Sequence, residues 1–204
     1  MIDVAVVVRP MRAEDIPAAV ALQSLAFPPP FDPELLWKAE HLARHLDRFP
    51  EGQFAALDGG TLVGTGSNTR ISARALKEST WDSVVGGPFL DTFDPTGDTL
   101  YGLDISVHPD FRRRGVGRAL YDARFDLVRR LGLARYATTC RLPDFAESGE
   151  PSVARYAQSV VEGTRADRTL TPLLRIGLRF TGVKLGFMDD AESGHAAAQL
   201  EWTP

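Results

Sequence analysis

The sequence has a single cysteine, no long apolar run and no excess of basic charge. Its one cysteine, Cys140, cannot form an intramolecular disulfide, which fits a reducing cytosol, so we expect a cytoplasmic protein. The apolar run at 4–8 is too short to span a membrane and lacks the basic flank and cleavage pattern of an export signal. The net charge is −4, whereas nucleic-acid binding would need basic charge spread over a face. These absences predict neither a membrane nor a nucleic acid as a partner.

A metal-ligand pattern is missing too. His41 and His45 are one helical turn apart, but no third ligand follows at that spacing and there is no His-Glu-x-x-His pattern. Their helical row also contains Glu34, Lys38 and Arg48, which predicts a polar face with solvated histidines. We therefore expect no metal site.

What the chain does have is enough material for one well-packed domain. It has 204 residues, of which 44% are hydrophobic, and this predicts a single domain over residues 1–204. Periodicity and turn residues predict strands at about 4–9, 53–57, 61–67, 99–107, 135–141, 178–184 and 196–202. Helices are predicted up to about residue 26, after Asp32, from 116 to Gly132, at 152–161 and near 170–176. This order indicates an α/β fold. The long polar segment at about 70–98 either overhangs the functional site or packs down as an ordinary lid.

The most informative stretch is 107–120, where a strand ends, a basic turn follows and a helix starts at once. Gly115 and Gly117 allow a ligand to approach the backbone closely, and the first N–H groups of the helix have no partner within it. Four arginines, at 112–114 and 118, add charge suited to phosphate, although they could also be a solvated charge run beside a turn. An ATP-type loop is excluded because neither Lys nor Ser/Thr follows Gly117. A dinucleotide fingerprint is disfavoured because Leu120 stands where a small residue is needed.

This stretch resembles motif A of the GNAT superfamily of N-acetyltransferases, Arg/Gln-x-x-Gly-x-Gly/Ala. Arg112, Gly115 and Gly117 fill its three fixed places, and the resemblance extends over nearly the full length. It implies the GNAT fold, a mixed sheet of six to seven strands flanked by helices and splayed between the strands at about 99–107 and 135–141. It also implies a loop that binds the pyrophosphate of acetyl-CoA beside a strand that follows the pantetheine arm. The implied cosubstrate-binding residues are Ile105, Ser106, Val107, Arg112, Arg113, Arg114, Gly115, Val116, Gly117, Arg118 and Ala119.

The last third of the chain departs from the commonest family pattern, Tyr-x-x-x-Gly-Phe, whose tyrosine can protonate the leaving thiolate. Gly177-Leu178 holds the Gly-Phe place, and Leu173 stands where the tyrosine would be. Tyr156, the segment Thr169-Leu170-Thr171 and the closing Leu200-Glu201-Trp202 resemble a GNAT subgroup that is sometimes fused to a carbon–nitrogen hydrolase domain. In these 204 residues we expect no second domain of that kind.

Acetyl transfer to an amine needs a proton acceptor, because a lysine-like amine has a pKa of about 10.4. Our candidate is Asp104, because Leu100, Gly102, Asp104, Ser106 and His108 form a small or polar face on a strand that should otherwise be apolar on both faces. A structural role in hydrogen bonding or ion pairing is the alternative.

For the acid that protonates the leaving thiolate, Tyr156 is the candidate and Tyr101 a second, although Tyr101 fits better as a packed strand aromatic. Cys140 has no neighbouring histidine in the sequence and is expected to be a buried core thiol rather than a nucleophile.

The resemblance implies an N-acetyltransferase that moves an acetyl group from acetyl-CoA to a primary amine by direct attack in a ternary complex. The acceptor is a small molecule or a peptide, and aspartates at 82, 91, 94, 98 and 104 hint at a cationic one. A homodimer is possible, since family members often pair. Two alternatives stay open: a non-catalytic acyl-CoA sensor, which the missing tyrosine favours, and a nucleotide-binding module of another kind.

Overall fold

The computed structural model describes residues 6–29, 31–78 and 80–204. Seven strands are present in these residues: Val7–Pro10 (β1), Phe54–Asp58 (β2), Thr61–Ile71 (β3), Thr99–Val107 (β4), Arg135–Cys140 (β5), Arg179–Leu185 (β6) and Ala196–Trp202 (β7). Six α-helices accompany them: Ile16–Ala26 (α1), Ala39–Arg48 (α2), Trp81–Val85 (α3), Val116–Leu131 (α4), Val153–Val161 (α5) and Leu170–Ile176 (α6). The start of the first predicted strand, at residues 4–5, lies outside the described residues.

All seven strands form one mixed sheet in the order β1-β2-β3-β4-β5-β7-β6. Only β4 and β5 run parallel, because the helix α4 crosses over between them, and every other neighbouring pair is antiparallel. The predicted α/β fold with a mixed, helix-flanked sheet is confirmed.

Successive side chains of the strands point to opposite faces of the sheet, and the apolar ones pack in a core on each face. Ala56 and Leu100 pack with α4, α5 and α6 in the larger core, whereas Ala55 packs with α1 and α2 on the opposite face. Helix α4 therefore covers one face of β4, and α1 and α2 cover the other. Gly132, in the left-handed region at φ 62°, ends α4 where the sequence predicts.

The polar segment at 70–98 is ordered rather than structureless. It contains the unpredicted short helix α3, and Leu76, Val84, Val85 and Leu90 are buried in a third apolar cluster with Tyr101 of β4. The alternative in which this segment packs down onto the sheet is the one that the structure confirms.

Candidate active site

The sheet parts in its middle, between β4 and β5. The two strands pair only from Thr99 with Arg135 to Gly102 with Thr138, whereas β4 continues beside β3 as far as Val107. The last five residues of β4 consequently have a neighbouring strand on one side only. This is the predicted splay, and the fold that the sequence implied is confirmed here as well.

The free edge of β4 presents backbone groups to this opening. His108 donates its N–H to the Val63 carbonyl at 2.9 Å, and the register pairs Ser106 with Thr65. In an antiparallel pair, alternate residues bond the neighbouring strand and the residues between them point away. The N–H and C=O groups of Ile105 and Val107 therefore point into the opening, where an extended ligand can pair with them.

A β-bulge in β4 changes which side chains share a face. Ser67 pairs with Asp104 but Asn68 pairs with Gly102, so Leu103 has no opposite residue. The predicted face that joins Gly102 to Asp104 is therefore wrong, because strict alternation ends at the extra residue. Beyond the bulge, Ile105 packs with the α4 core, and the Asp104 side chain lies on the other face, towards α1 and α2.

The Asp104 carboxylate is held between two donors. The Trp37 indole Nε1–H donates to Oδ1 at 3.0 Å, and the Ser106 hydroxyl donates to Oδ2 at 3.3 Å. Burial raises the pKa of Asp104, although these donors and the charge of Arg124 act in the opposite direction. A carboxyl with a raised pKa is a better proton acceptor when ionised, which suits the role predicted for it.

The loop after β4 curls so that the first turn of α4 faces outward. Arg113 adopts φ 61° and Gly115, the residue before the helix, adopts φ 84°. The N–H groups of Val116, Gly117 and Arg118 have no partner inside the helix, and the helix dipole adds partial positive charge there. Gly117 has ordinary helical geometry and open space where a side chain would begin. Its lack of a side chain is not required by the fold, which fits a position reserved for a ligand.

The four loop arginines are placed differently from one another. Arg112 donates to the Ala26 carbonyl at 2.8 Å and so ties the loop to the end of α1. Arg118 pairs with Asp122 at 3.0 Å on the surface, as the helical spacing predicts. Arg114 lies over the Phe111 ring, and Arg113 is exposed. Ala119, one position after Arg118, is half-buried, and its N–H bonds the Gly115 carbonyl at 2.9 Å.

Tyr156 is buried on α5, with 1% of its surface exposed. Its hydroxyl donates to Asp167 Oδ2 at 3.0 Å, and the other Asp167 oxygen accepts the N–H groups of Thr169 and Leu170 at the start of α6. Burial raises the pKa of Tyr156. These contacts describe a buried link between α5 and α6, and the acid role of Tyr156 stays a prediction.

Two other residues have the structural roles that the sequence favours. Tyr101 is 2% exposed, and its hydroxyl shares a 3.0 Å hydrogen bond with Thr139. Cys140 is a free, buried thiol whose pKa burial raises. Neither side chain is presented as a reactive group.

The two histidines of α2 are buried, so the prediction of a solvated histidine face is wrong. His45 is fully buried, donates Nε2–H to the Pro88 carbonyl at 2.8 Å and packs edge-on against Trp37. His41 is 8% exposed and accepts the Lys38 N–H at 3.1 Å. The reason is the segment after α3, whose Pro88 carbonyl and Phe89 ring cover the two histidines. Glu34 and Lys38 of the same row stay exposed.

Arg124 is the residue that sequence reasoning missed. It lies on α4 one turn after Leu120 and before Leu127 and Val128, so a cation interrupts the apolar stripe at helical spacing, which was the available signal. The structure buries it to 1% exposure and directs its guanidinium at the bulge in β4.

A sheet that parts beside a helix N-terminus is the arrangement that the GNAT resemblance implies for an acyltransferase. A model of the acetyltransferase (GNAT) family matches residues 16–149, which run from α1 past the end of β5. The chain therefore belongs to the GNAT family, and the resemblance seen in the sequence is confirmed.

Two relatives come from Bacillus subtilis (strain 168). The uncharacterized N-acetyltransferase YkwB is 34% identical over 202 residues, which cover 97% of this chain and 88% of YkwB. The protein named Probable hydrolase YhcX is 33% identical over 199 residues, which cover 96% of this chain but 38% of YhcX. A match to part of a longer, hydrolase-named protein is in keeping with the subgroup that the sequence resembles.

Solved structures share the whole fold. The loading GNATL domain of CurA from Lyngbya majuscula has a TM-score of 0.83 at 19% identity and covers 98% of both chains. The GphF GNAT-like decarboxylase in complex with isobutyryl-CoA has a TM-score of 0.77 at 23% identity, covering 97% of this chain and 98% of GphF. YncA of Salmonella typhimurium, solved with acetyl-CoA, has a TM-score of 0.59 at 16% identity, covering 98% and 94%. At these identities the similarity establishes the fold.

Within residues 6–29, 31–78 and 80–204, three or more metal-ligating side chains do not come together at any point. The helices in those same ranges all fall short of the length and apolarity that crossing a membrane needs.

Proposed function

We propose that the protein transfers an acetyl group from acetyl-CoA to a primary amine of a small-molecule or peptide acceptor. The observation that carries this proposal is the parting of β4 from β5, which exposes the backbone of Ile105 and Val107 between the α4 N-terminus and Asp104. One extended ligand can follow this edge from a phosphate end to a reactive end. Support also comes from fold relatives solved with acetyl-CoA and with isobutyryl-CoA.

We assign the phosphate end of acetyl-CoA to the loop at 112–118. The unpaired N–H groups at 116–118 and the exposed Arg113 supply donors and positive charge for a pyrophosphate. Arg112 contributes by fixing the loop to α1 through its hydrogen bond to the Ala26 carbonyl. The pantetheine arm, which contains two amides, would pair with the backbone of Ile105 to Val107.

The reaction is a direct attack. The amine nitrogen forms the new C–N bond while the carbonyl electron pair moves to oxygen, near the Ile105 N–H, which stabilises the developing negative charge. The pair then returns, the C–S bond breaks, and sulfur leaves with its electrons as a thiolate. The amine proton passes to Asp104, directly or through one water. Because a thiol has a pKa of about 8.5, the thiolate can leave with little help, so the mechanism does not depend on Tyr156.

A binding and turnover experiment tests this function. Thermal shift with acetyl-CoA, CoA, isobutyryl-CoA and ATP is expected to show a concentration-dependent rise for the CoA compounds only. Release of free CoA thiol is then followed with a panel of polyamines, aminoglycosides and lysine peptides. Stabilisation by ATP with none by CoA would overturn the proposal. Binding without turnover for any amine would favour an acyl-CoA sensor instead.

A further inference from the structure

The buried positive charge of Arg124 is not compensated by an ion pair. Its side chain is 1% exposed, and in the part of the chain that the structure describes it makes no salt bridge with a carboxylate. A buried cation without such a partner costs several kcal/mol, and an apolar side chain would fit an apolar helix stripe. The guanidinium therefore calls for an explanation in terms of what it contacts.

Its contacts converge on the bulge in β4. One terminal nitrogen, Nη2, donates to the Ser67 carbonyl at 3.1 Å and also to the Asp104 carbonyl. The other, Nη1, donates to the Tyr136 hydroxyl at 3.0 Å, and the guanidinium lies 4.9 Å from the Tyr121 ring centroid. Both carbonyls lie between β3 and β4, where the bulge interrupts the ladder. Arg124 fills that gap with hydrogen bonds.

The Asp104 carbonyl belongs to the same peptide unit as the Ile105 N–H. A trans peptide is planar, so its C=O and N–H point in opposite directions. With the carbonyl directed between β3 and β4 at Arg124, the N–H is directed into the opening between β4 and β5. The positively charged guanidinium, hydrogen-bonded to the carbonyl oxygen, polarises the whole peptide and makes its N–H a stronger donor. Burial in a medium of low dielectric increases the effect.

We propose that Arg124 is a positioning residue for acyl transfer, which acts through the 104–105 peptide to orient and strengthen the Ile105 N–H that receives the thioester oxygen. This inference rests on the proposed function, because it names how that site stabilises charge on the carbonyl. It assigns no direct contact between Arg124 and the ligand. The guanidinium stays behind β4, on the α4 face.

The test is isotope-edited infrared spectroscopy of bound acetyl-CoA that carries carbon-13 at the thioester carbonyl. A strong donor weakens the carbonyl bond, so the stretch of the bound thioester is expected at lower wavenumber than that of acetyl-CoA in solution. In Arg124→Met the stretch should return towards the solution value. Turnover should fall about 10- to 100-fold, since loss of a whole oxyanion donor costs about 10² to 10³. Calorimetry is expected to show a much smaller change in acetyl-CoA affinity.

Three variants separate this role from plain stabilisation. Tyr136→Phe removes one of the Arg124 contacts but leaves the two carbonyl contacts, so the stretch should stay as in the wild type. Arg129→Met removes an equal charge from the exposed side of the same helix and should also leave it unchanged. Arg124→Lys keeps the positive charge but lacks the planar set of guanidinium donors, so its carbonyl stretch should lie between those of the wild type and Arg124→Met. It replaces Arg124→Met if that variant does not fold.

The possible failures are distinguishable. Absence of acetyl-CoA binding by the wild type would overturn the proposed function and this inference with it. Binding with an unshifted wild-type stretch would overturn the inference alone, and that measurement needs no variant. A shifted stretch that persists in both Arg124 variants would also overturn it, since the strength of the Ile105 N–H as a donor would then not depend on the guanidinium.

Discussion

The indole of Trp37 and the carboxylate of Asp104 are joined by a 3.0 Å hydrogen bond, although 67 residues separate them in the chain. Trp37 is itself fixed by Gln23 of α1, whose side chain bonds both the backbone N–H of Trp37, at 2.7 Å, and its carbonyl, at 3.4 Å. The orientation of the proposed base on β4 therefore depends on α1 and on the connection that follows it.

Removing the charge of Asp104 should separate catalysis from cosubstrate binding. We expect Asp104→Asn to lower turnover about 10²- to 10⁴-fold, the usual contribution of a general base. The asparagine oxygen can still accept from Trp37, so acetyl-CoA affinity should stay the same. Steady-state CoA release and calorimetry measure the two quantities, with the exposed Asp126→Asn as the control. Wild-type turnover in Asp104→Asn would show that the base lies elsewhere.

The same substitution should stabilise the fold at neutral pH. Burial raises the pKa of Asp104, so the folded protein holds the ionised carboxyl less favourably than the unfolded chain does. The stability cost is absent below the unfolded pKa, about 3.9, and grows as pH rises through the folded value. Urea unfolding at pH 7 should show Asp104→Asn to be more stable than the wild type, and the difference should shrink towards pH 4. A difference that grows on acidification would contradict the assignment.

Gly115 and Gly117 should respond differently to substitution. Gly115 has φ 84°, so alanine there costs about 1 kcal/mol of folding stability. Gly117 is an ordinary helical position with open space around it, so valine should change stability by less than about 1 kcal/mol. Because helical side chains lean towards the N-terminus, that valine would enter the phosphate region, and we expect acetyl-CoA affinity to fall at least about tenfold. Calorimetry and urea unfolding on each variant check both values, and unchanged affinity in folded Gly117→Val would exclude the loop as the pyrophosphate site.

The buried His45 should make stability depend on pH. Burial lowers its pKa to about 4, against about 6.5 in an unfolded chain, so the unfolded state binds the proton first. This contribution to stability is complete above pH 6.5 and is lost as pH falls towards 4, by on the order of 3 kcal/mol. His45→Gln keeps a donor for the Pro88 carbonyl but does not titrate. Its unfolding free energy should therefore fall less steeply over this range, and an identical slope in both proteins would rule out His45 as the cause.

Tyr156→Phe tests the two roles of that hydroxyl. Loss of the hydrogen bond to Asp167 should lower the unfolding free energy by about 1 to 2 kcal/mol, because the buried Oδ2 loses its shorter hydrogen bond and keeps only the Asp144 N–H at 3.4 Å. We expect turnover per folded molecule to be unchanged, since the phenolic proton is already engaged by Asp167. Turnover that falls while stability and acetyl-CoA affinity are kept would instead establish Tyr156 as the acid.

Features that depend only on residues close together in the chain could be predicted from the sequence. The loop at 112–118 could be predicted because glycine geometry and helix termini depend on neighbours in the chain. The bounds of α4 follow from Gly115 and Gly132 for the same reason. Helical spacing allows Arg118 to pair with Asp122 and Asp126 to pair with Arg130, both four residues apart. The first pair forms, whereas Asp126 pairs with Arg129, three residues along.

Contacts between distant segments decided what the sequence could not predict. The burial of His45 depends on Pro88, 43 residues away, which no periodicity within α2 reveals. The face of Asp104 depends on one extra residue at Leu103, and a single slip reverses every side chain beyond it. The role of Arg124 depends on that same bulge.

The parting of β4 from β5 also bears on aggregation. An unpaired strand edge ordinarily invites a strand from another molecule, and proteins protect such edges. Here the unpaired groups of Ile105 and Val107 lie inside a seven-stranded sheet, with β3 on one side and β5 still joined to β4 at Gly102. A polypeptide strand, with side chains on both faces, would have to enter a wedge that closes after a few residues. A narrow ligand whose amides carry no side chains can enter this opening. The shape of the opening alone therefore disfavours aggregation through the edge of β4.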